Sequence, residues 1–161
     1  MAADPLETAW KIQAALADWT GKADTKASIA LSVQSTVLAL VGVLAASGTT
    51  TRSTPGQVLL WAGGFILLCG ALLAAAAVAP NLRLERRGPD PDDDYLYFGH
   101  LRHFEPEGLE RALRSGATLS ALSRQIVVMS QIAWTKHRRV QLSFLLAVLG
   151  CAALGASAAV G

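Results

Sequence analysis

Eighteen consecutive residues, Ile29 to Ala46, carry no charge, and two further uncharged apolar runs follow at Leu59 to Ala79 and Val140 to Val160. A bilayer core about 30 Å thick is crossed by about 20 apolar residues in a helix rising about 1.5 Å per residue. Three such runs in 161 residues leave little chain for a water-soluble core. Charged residues make up 16% of the sequence, against about 25% in soluble domains. The chain is therefore read as an all-α membrane protein with transmembrane helices at 29–46, 58–79 and 140–160. No strand pattern or internal repeat competes with this reading.

The segments that flank the spans are helical too. Residues 1–28 form an amphipathic helix that starts near Pro5, with Ala9, Ile12, Leu16, Trp19 and Ala23 at steps of three and four. Its charged face holds Lys11, Asp18 and Lys22. This stripe fits packing on another cytosolic helix; a surface-lying helix anchored by Trp10 and Trp19 is the alternative. Ser47 to Gly56 is a polar turn, and Pro80-Asn81 ends the second span. The region 80–139 is a loop followed by a helix from Glu107 to Gln141. Leu119, Leu122, Ile126, Met129 and Ala133 form its coiled-coil-like seam. No breaker separates either soluble helix from its span, so the first and third spans continue into long cytosolic helices that form a juxtamembrane bundle.

Basic side chains orient the molecule. Of 14 Lys and Arg, all but Arg52 lie in 11–26 or 83–139. The positive-inside bias places those segments in the cytoplasm, with the N-terminus inside and the C-terminus outside. The N-terminus shows no basic segment followed by an apolar run, so no cleavable signal peptide is read there. Cys69 and Cys151 fall inside apolar runs, where thiols act as small hydrophobes rather than as a disulfide or zinc framework.

One face of the first span is built from small residues: Ser28, Ser32, Ser35, Ala39, Gly42 and Ala46. Small side chains let membrane helices approach closely. The stripe serves packing within one bundle, or else lines a self-association surface or a path that opens on activation. Gly63, Gly64 and Gly70 offer similar contacts on the second span.

Asp24, between Lys22 and Lys26, stands where the first helix meets the lipid. A carboxylate at that depth needs a cation. Lys26 is two residues on and points elsewhere on the helix, so Lys136 or Arg139, ahead of the third span, is the better partner. The cluster reads as a structural salt bridge or as part of a switch. Tyr97, Phe98 and Arg102, with Arg83 and Arg86, supply aromatic faces and guanidinium groups of the kind that hold a nucleotide. Packing and the positive-inside bias place the same residues in a cytosolic loop. Asp90 to Asp94 makes the preceding segment acidic and rich in turns.

No catalytic motif is present. The sequence has no phosphate-binding glycine loop, no dinucleotide fingerprint and no Ser-His-Asp or Cys-His context. His100 and His103, with Glu105 and Glu107 nearby, fall short of a metal set. The reading is a non-enzyme without metal or cofactor, and the small net charge of +2 does not point to nucleic acid.

Trp19, the run Lys22-Ala23-Asp24-Thr25-Lys26-Ala27-Ser28, then Tyr97-Phe98-Gly99, then Ile132 and Lys136 before the last apolar helix, together form a pattern. With this topology, the chain resembles the transmembrane effector family of the Pycsar system, the pyrimidine cyclase system for antiphage resistance. The resemblance covers nearly the whole chain. It implies a multi-pass protein of the bacterial inner membrane, with a pyrimidine nucleotide cyclase as functional partner. The cyclase makes cyclic CMP or cyclic UMP on infection; the effector, an expected homo-oligomer, responds by impairing the membrane and aborting infection. It also implies that ligand binding or switching falls to Asp24, Lys26, Arg83, Arg86, Tyr97, Phe98, Arg102 and Lys136. A helical scaffold without a small ligand is the rival reading, and a housekeeping channel or transporter ranks behind it.

Overall fold

The computed structural model describes residues 4–47, 53–79, 96, 101, 104–114 and 118–160. Among them are four helices and no strand: α1 Pro5–Ala46, α2 Thr54–Val78, α3 Pro106–Arg114 and α4 Thr118–Val160. Three of these, α1, α2 and α4, are long and apolar enough to cross a membrane. The protein is an all-α membrane protein, and its first and last spanning helices are the long ones, at 42 and 43 residues against 25 for α2.

The helix starts follow from their caps. Asp4 precedes α1, and its carboxylate accepts the Leu6 N–H at 3.1 Å, while Pro5 needs no donor partner at the first position. Ser53 caps α2 by accepting the Gly56 N–H at 3.2 Å, and Pro55 lies in that first turn. Pro55 thus stands in the first turn of α2, within the Ser47 to Gly56 stretch that reads as a polar turn. Over the helix read from Glu107 to Gln141, the described residues are helical to Arg114 and again from Thr118, and 115–117 lie outside the described residues.

The chain divides into two compact units. One comprises Met1–Gly21 with Pro80–Trp134, the other Lys22–Ala79 with Thr135–Gly161. In the first, Ala9, Leu16, Ala121, Leu122 and Ala133 are buried. Its α1 face differs from the expected one. Ile12 and Trp19 are 45% and 54% exposed, and the inward positions between Ala9 and Gly21 are Gln13, Leu16 and Thr20. On α4, Leu119 is exposed, so the seam begins at Leu122 and runs through half-buried Ile126 and Met129 to Ala133.

The second unit is packed the opposite way round from a soluble domain. Its buried residues include Ala23, Ala27, Ala30, Gln34, Gly63, Leu67, Gly70, Ala71, Ala74, Ala77, Val140, Ser143, Gly150 and Ser157. Its outward side chains include Ile29, Val33, Leu40, Trp61, Phe65, Leu72, Leu145 and Val148. Lipid tails solvate large apolar groups, so helix association depends on close contact between small residues. Gly63 and Gly150 supply the closest approach. A Cβ on Gly150 would lie 3.0 Å from the Gly63 carbonyl oxygen and 2.6 Å from Leu67 Cγ. Gly64, by contrast, meets nothing within 4 Å.

Candidate functional site

Within the membrane unit, polar contacts join the helices at several levels. Ala23, Ala27 and Ala30 follow the inward stripe of α1, and Asp24 stands next to that stripe. Lys136 lies on the α4 face that continues through Val140, Ser143, Ala147, Gly150, Leu154 and Ser157. The Lys136 ammonium donates to both Asp24 carboxylate oxygens, at 2.7 and 2.8 Å. The lysine side chain is 14% exposed and the aspartate 36%. This is a shielded pair whose partners are held by two rigid helices. Lys26 is exposed and Asp24 bonds to Lys136 instead.

Arg139 takes a different role. Its guanidinium donates to the Ala76 carbonyl at 2.7 Å, one of the last-turn acceptors that a helix end leaves without internal partners. A cation there also suits the negative end of the α2 dipole. Ala27, Ala77 and Val140 form a tight apolar cluster in the same unit. Ala77 follows the Arg139 acceptor by one residue, Val140 follows Arg139 by one, and Ala27 lies three beyond Asp24, so charge gives way to close packing within a turn.

A second polar contact lies among the apolar residues. The Gln34 amide donates to Ser143 Oγ at 2.9 Å and to the Ser143 carbonyl at 3.4 Å. Near the opposite end of α4, Ser157 Oγ donates to the Gly56 carbonyl at 2.7 Å and Ser53 Oγ to the Val160 carbonyl at 3.1 Å. These contacts were not evident from patterning. A glutamine inside an uncharged run was the available signal, but it was masked by the serines and threonine around it.

The small-residue stripe lies outward. Ser28, Ser32, Ser35, Ala39 and Gly42 are all exposed, so packing within this protomer does not use them. Ser28, Ser32 and Thr36 hydroxyls donate to carbonyls four residues earlier, which satisfies them inside α1. Arg83, Arg86, Tyr97, Phe98 and Arg102 lie outside the described residues, as do His100 and His103. Among the described residues, no three His, Cys, Asp or Glu side chains gather as metal ligands. Cys69 is half-buried and Cys151 exposed.

The Pycsar effector protein domain matches residues 8–161, nearly the entire chain. The chain belongs to the Pycsar effector family. This Pycsar effector accordingly acts in antiphage defence at a membrane, in a system that includes a cyclase. No curated protein and no solved structure matches it.

Proposed function

We propose that this Pycsar effector is a ligand-gated membrane protein without catalysis of its own, activated by cyclic CMP or cyclic UMP and impairing the inner membrane to abort infection. The carrying observation is the Asp24–Lys136 pair, a part-buried ion pair that joins two spanning helices. Arg83, Arg86, Tyr97, Phe98 and Arg102 form the recognition set: guanidinium groups pair with the cyclic phosphate and aromatic faces stack on the pyrimidine. Asp24, Lys26 and Lys136 form the switch. The unbroken course of α1 through Lys22 and of α4 through Thr135 supports mechanical coupling along each helix.

The ligand works only by binding the two states of the protein unequally. In the resting state Lys136 neutralises Asp24. In the active state the helices repack, and copies of the chain associate through Ser28, Ser32, Ser35, Ala39 and Gly42, whose outward placement supports that role. The N-terminus is cytoplasmic, where the cyclase product accumulates.

Titration of the detergent-purified full chain with cyclic CMP and cyclic UMP tests the reading. The expected result is saturable binding of one of them, weakened at least about tenfold in Arg83→Ala or Tyr97→Ala, as loss of a charge-assisted or stacking contact implies. The same nucleotide is expected to depolarise vesicles that contain the protein. Absence of saturable binding to either nucleotide favours a scaffold and sinks the proposal.

A further inference from the structure

Gln34 is 2% exposed and Ser143 is fully buried, yet only half of the glutamine amide is satisfied. Its NH2 group bonds to Ser143, while Oε1 has no hydrogen-bond partner. Oε1 points at α2. A Cβ built on Gly70 would lie 2.7 Å from that oxygen, 3.2 Å from Leu146 Cβ and 3.2 Å from the Ser143 carbonyl. That oxygen has less than 1 Å² of accessible surface, so no water reaches it in this arrangement. The carbonyl therefore faces only the weak Cα–H donor of a glycine, in a stretch where lipid supplies no alternative.

The same residue marks a change in how α1 is held. Before it, Ala23, Ala27 and Ala30 are buried; after it, no residue from Ser35 to Ala46 is. The other two spans stay fastened far beyond this level, through Gly63 and Gly150 and then Ser157 on the Gly56 carbonyl. Gln34 is thus the last buried residue of α1, and one face of its amide is unsatisfied.

We propose that Gln34 sets the balance between the resting and active states of the membrane span. Its unsatisfied carbonyl favours any arrangement in which α1 withdraws from Gly70 and the amide meets water. This deepens the membrane-impairing function proposed above and rests on it. In the resting state the Ser143 bond and the close fit at Gly70 hold α1 in place. In the active state Gln34 lines a hydrated path, so the polar group that the bundle leaves half-paired becomes fully paired.

Two substitutions act in opposite directions. Gln34→Leu keeps the bulk and removes the whole amide, both the Ser143 bond that favours the resting state and the unsatisfied carbonyl that disfavours it. The second outweighs the first, so the substitution is expected to raise the nucleotide concentration for half-maximal vesicle depolarisation about fivefold. Because binding and the state change are linked, apparent nucleotide affinity should weaken in the same direction. Gly70→Ala pushes a methyl into Oε1 and is expected to lower that concentration at least about threefold or to produce leak without ligand. If the wild type responds and Gln34→Leu responds at the same concentration, the inference is wrong while the effector reading survives. A wild type that gives no response overturns both. Should Gly70→Ala fail to fold, the Gln34→Leu titration decides alone. Should Gln34→Leu fail to reach the membrane, Gln34→Met replaces it, and failure of both makes the amide purely structural and overturns the inference.

Discussion

At the scale of single residues, the Asp24–Lys136 pair has a sign that mutation reveals. Removing one partner leaves the other charge shielded from water without compensation, whereas removing both leaves only a change of shape. Fully buried pairs lose about 3–5 kcal/mol on single truncation; a carboxylate that is one-third exposed brings this to about 1–3 kcal/mol. Asp24→Asn and Lys136→Met are each expected to lower the midpoint of thermal unfolding in detergent. The double variant should recover most of the loss, and the exchange of the two residues should do the same. Additive losses in the double variant would mean that the contact contributes nothing. The pairing of Asp24 with a base on the last span was legible because a carboxylate at a lipid boundary needs a cation and Lys26 faces elsewhere. The choice of Lys136 over Arg139 was not. It depends on Arg139 being taken by a carbonyl of α2, a partner invisible in a sequence.

At the scale of the helix, the contact of α2 with α4 turns on the absence of two methyl groups. Gly150→Ala meets backbone and the Leu67 side chain at 2.6–3.2 Å, and Gly63→Ala meets the Gly150 carbonyl at 3.0 Å. Each is expected to destabilise by about 1–3 kcal/mol, the usual range for overpacking. Gly64 and Gly155 lie in open space on the same two helices. Alanine there should be neutral or stabilising by up to about 1 kcal/mol through helix propensity. Chemical denaturation of the four single variants separates the pairs; equal effects at all four sites would refute close packing as the cause. The existence of the long helices was readable from charge-free runs and the start of α1 from Pro5, but the Ser53 cap and the Pro55 first turn of α2 lay in a stretch that reads as a turn. The buried face was not. In water the inward face is the apolar one, which selects Ile12 and Trp19; yet those face outward and Gln13 and Thr20 lie within. In the span, the Ser28–Gly42 and Ala23–Gln34 rows are both small, so residue size cannot choose between them. The choice is made by α2 and α4, through Ala77, Gly70 and Ser143.

At the scale of the whole molecule, orientation follows from charges that helix packing does not set. With residues 1–28 and 80–139 on one side, 13 of 14 basic side chains share a compartment, and only Arg52 falls on the other. Translocation of segments rich in Lys and Arg is disfavoured, so the proposed orientation makes that compartment the cytoplasm. In that proposed topology, three spans put the two termini on opposite sides. A fluorescent protein that matures only in the cytoplasm is expected to glow when fused before residue 1 and to stay dark when fused after Gly161. Alkaline phosphatase, active only outside the inner membrane, should give the reverse pattern. The arrangement also predicts which charges carry the decision. Arg52→Glu should leave both reporters unchanged, because it makes an already charge-poor outer turn still less basic. Replacing Lys136, Arg138 and Arg139 with glutamine should raise the fraction of C-terminal fusions that glow, since those residues anchor the start of the last span. Glowing fusions at both termini of the intact sequence would mean an even number of spans and would overturn the proposed topology.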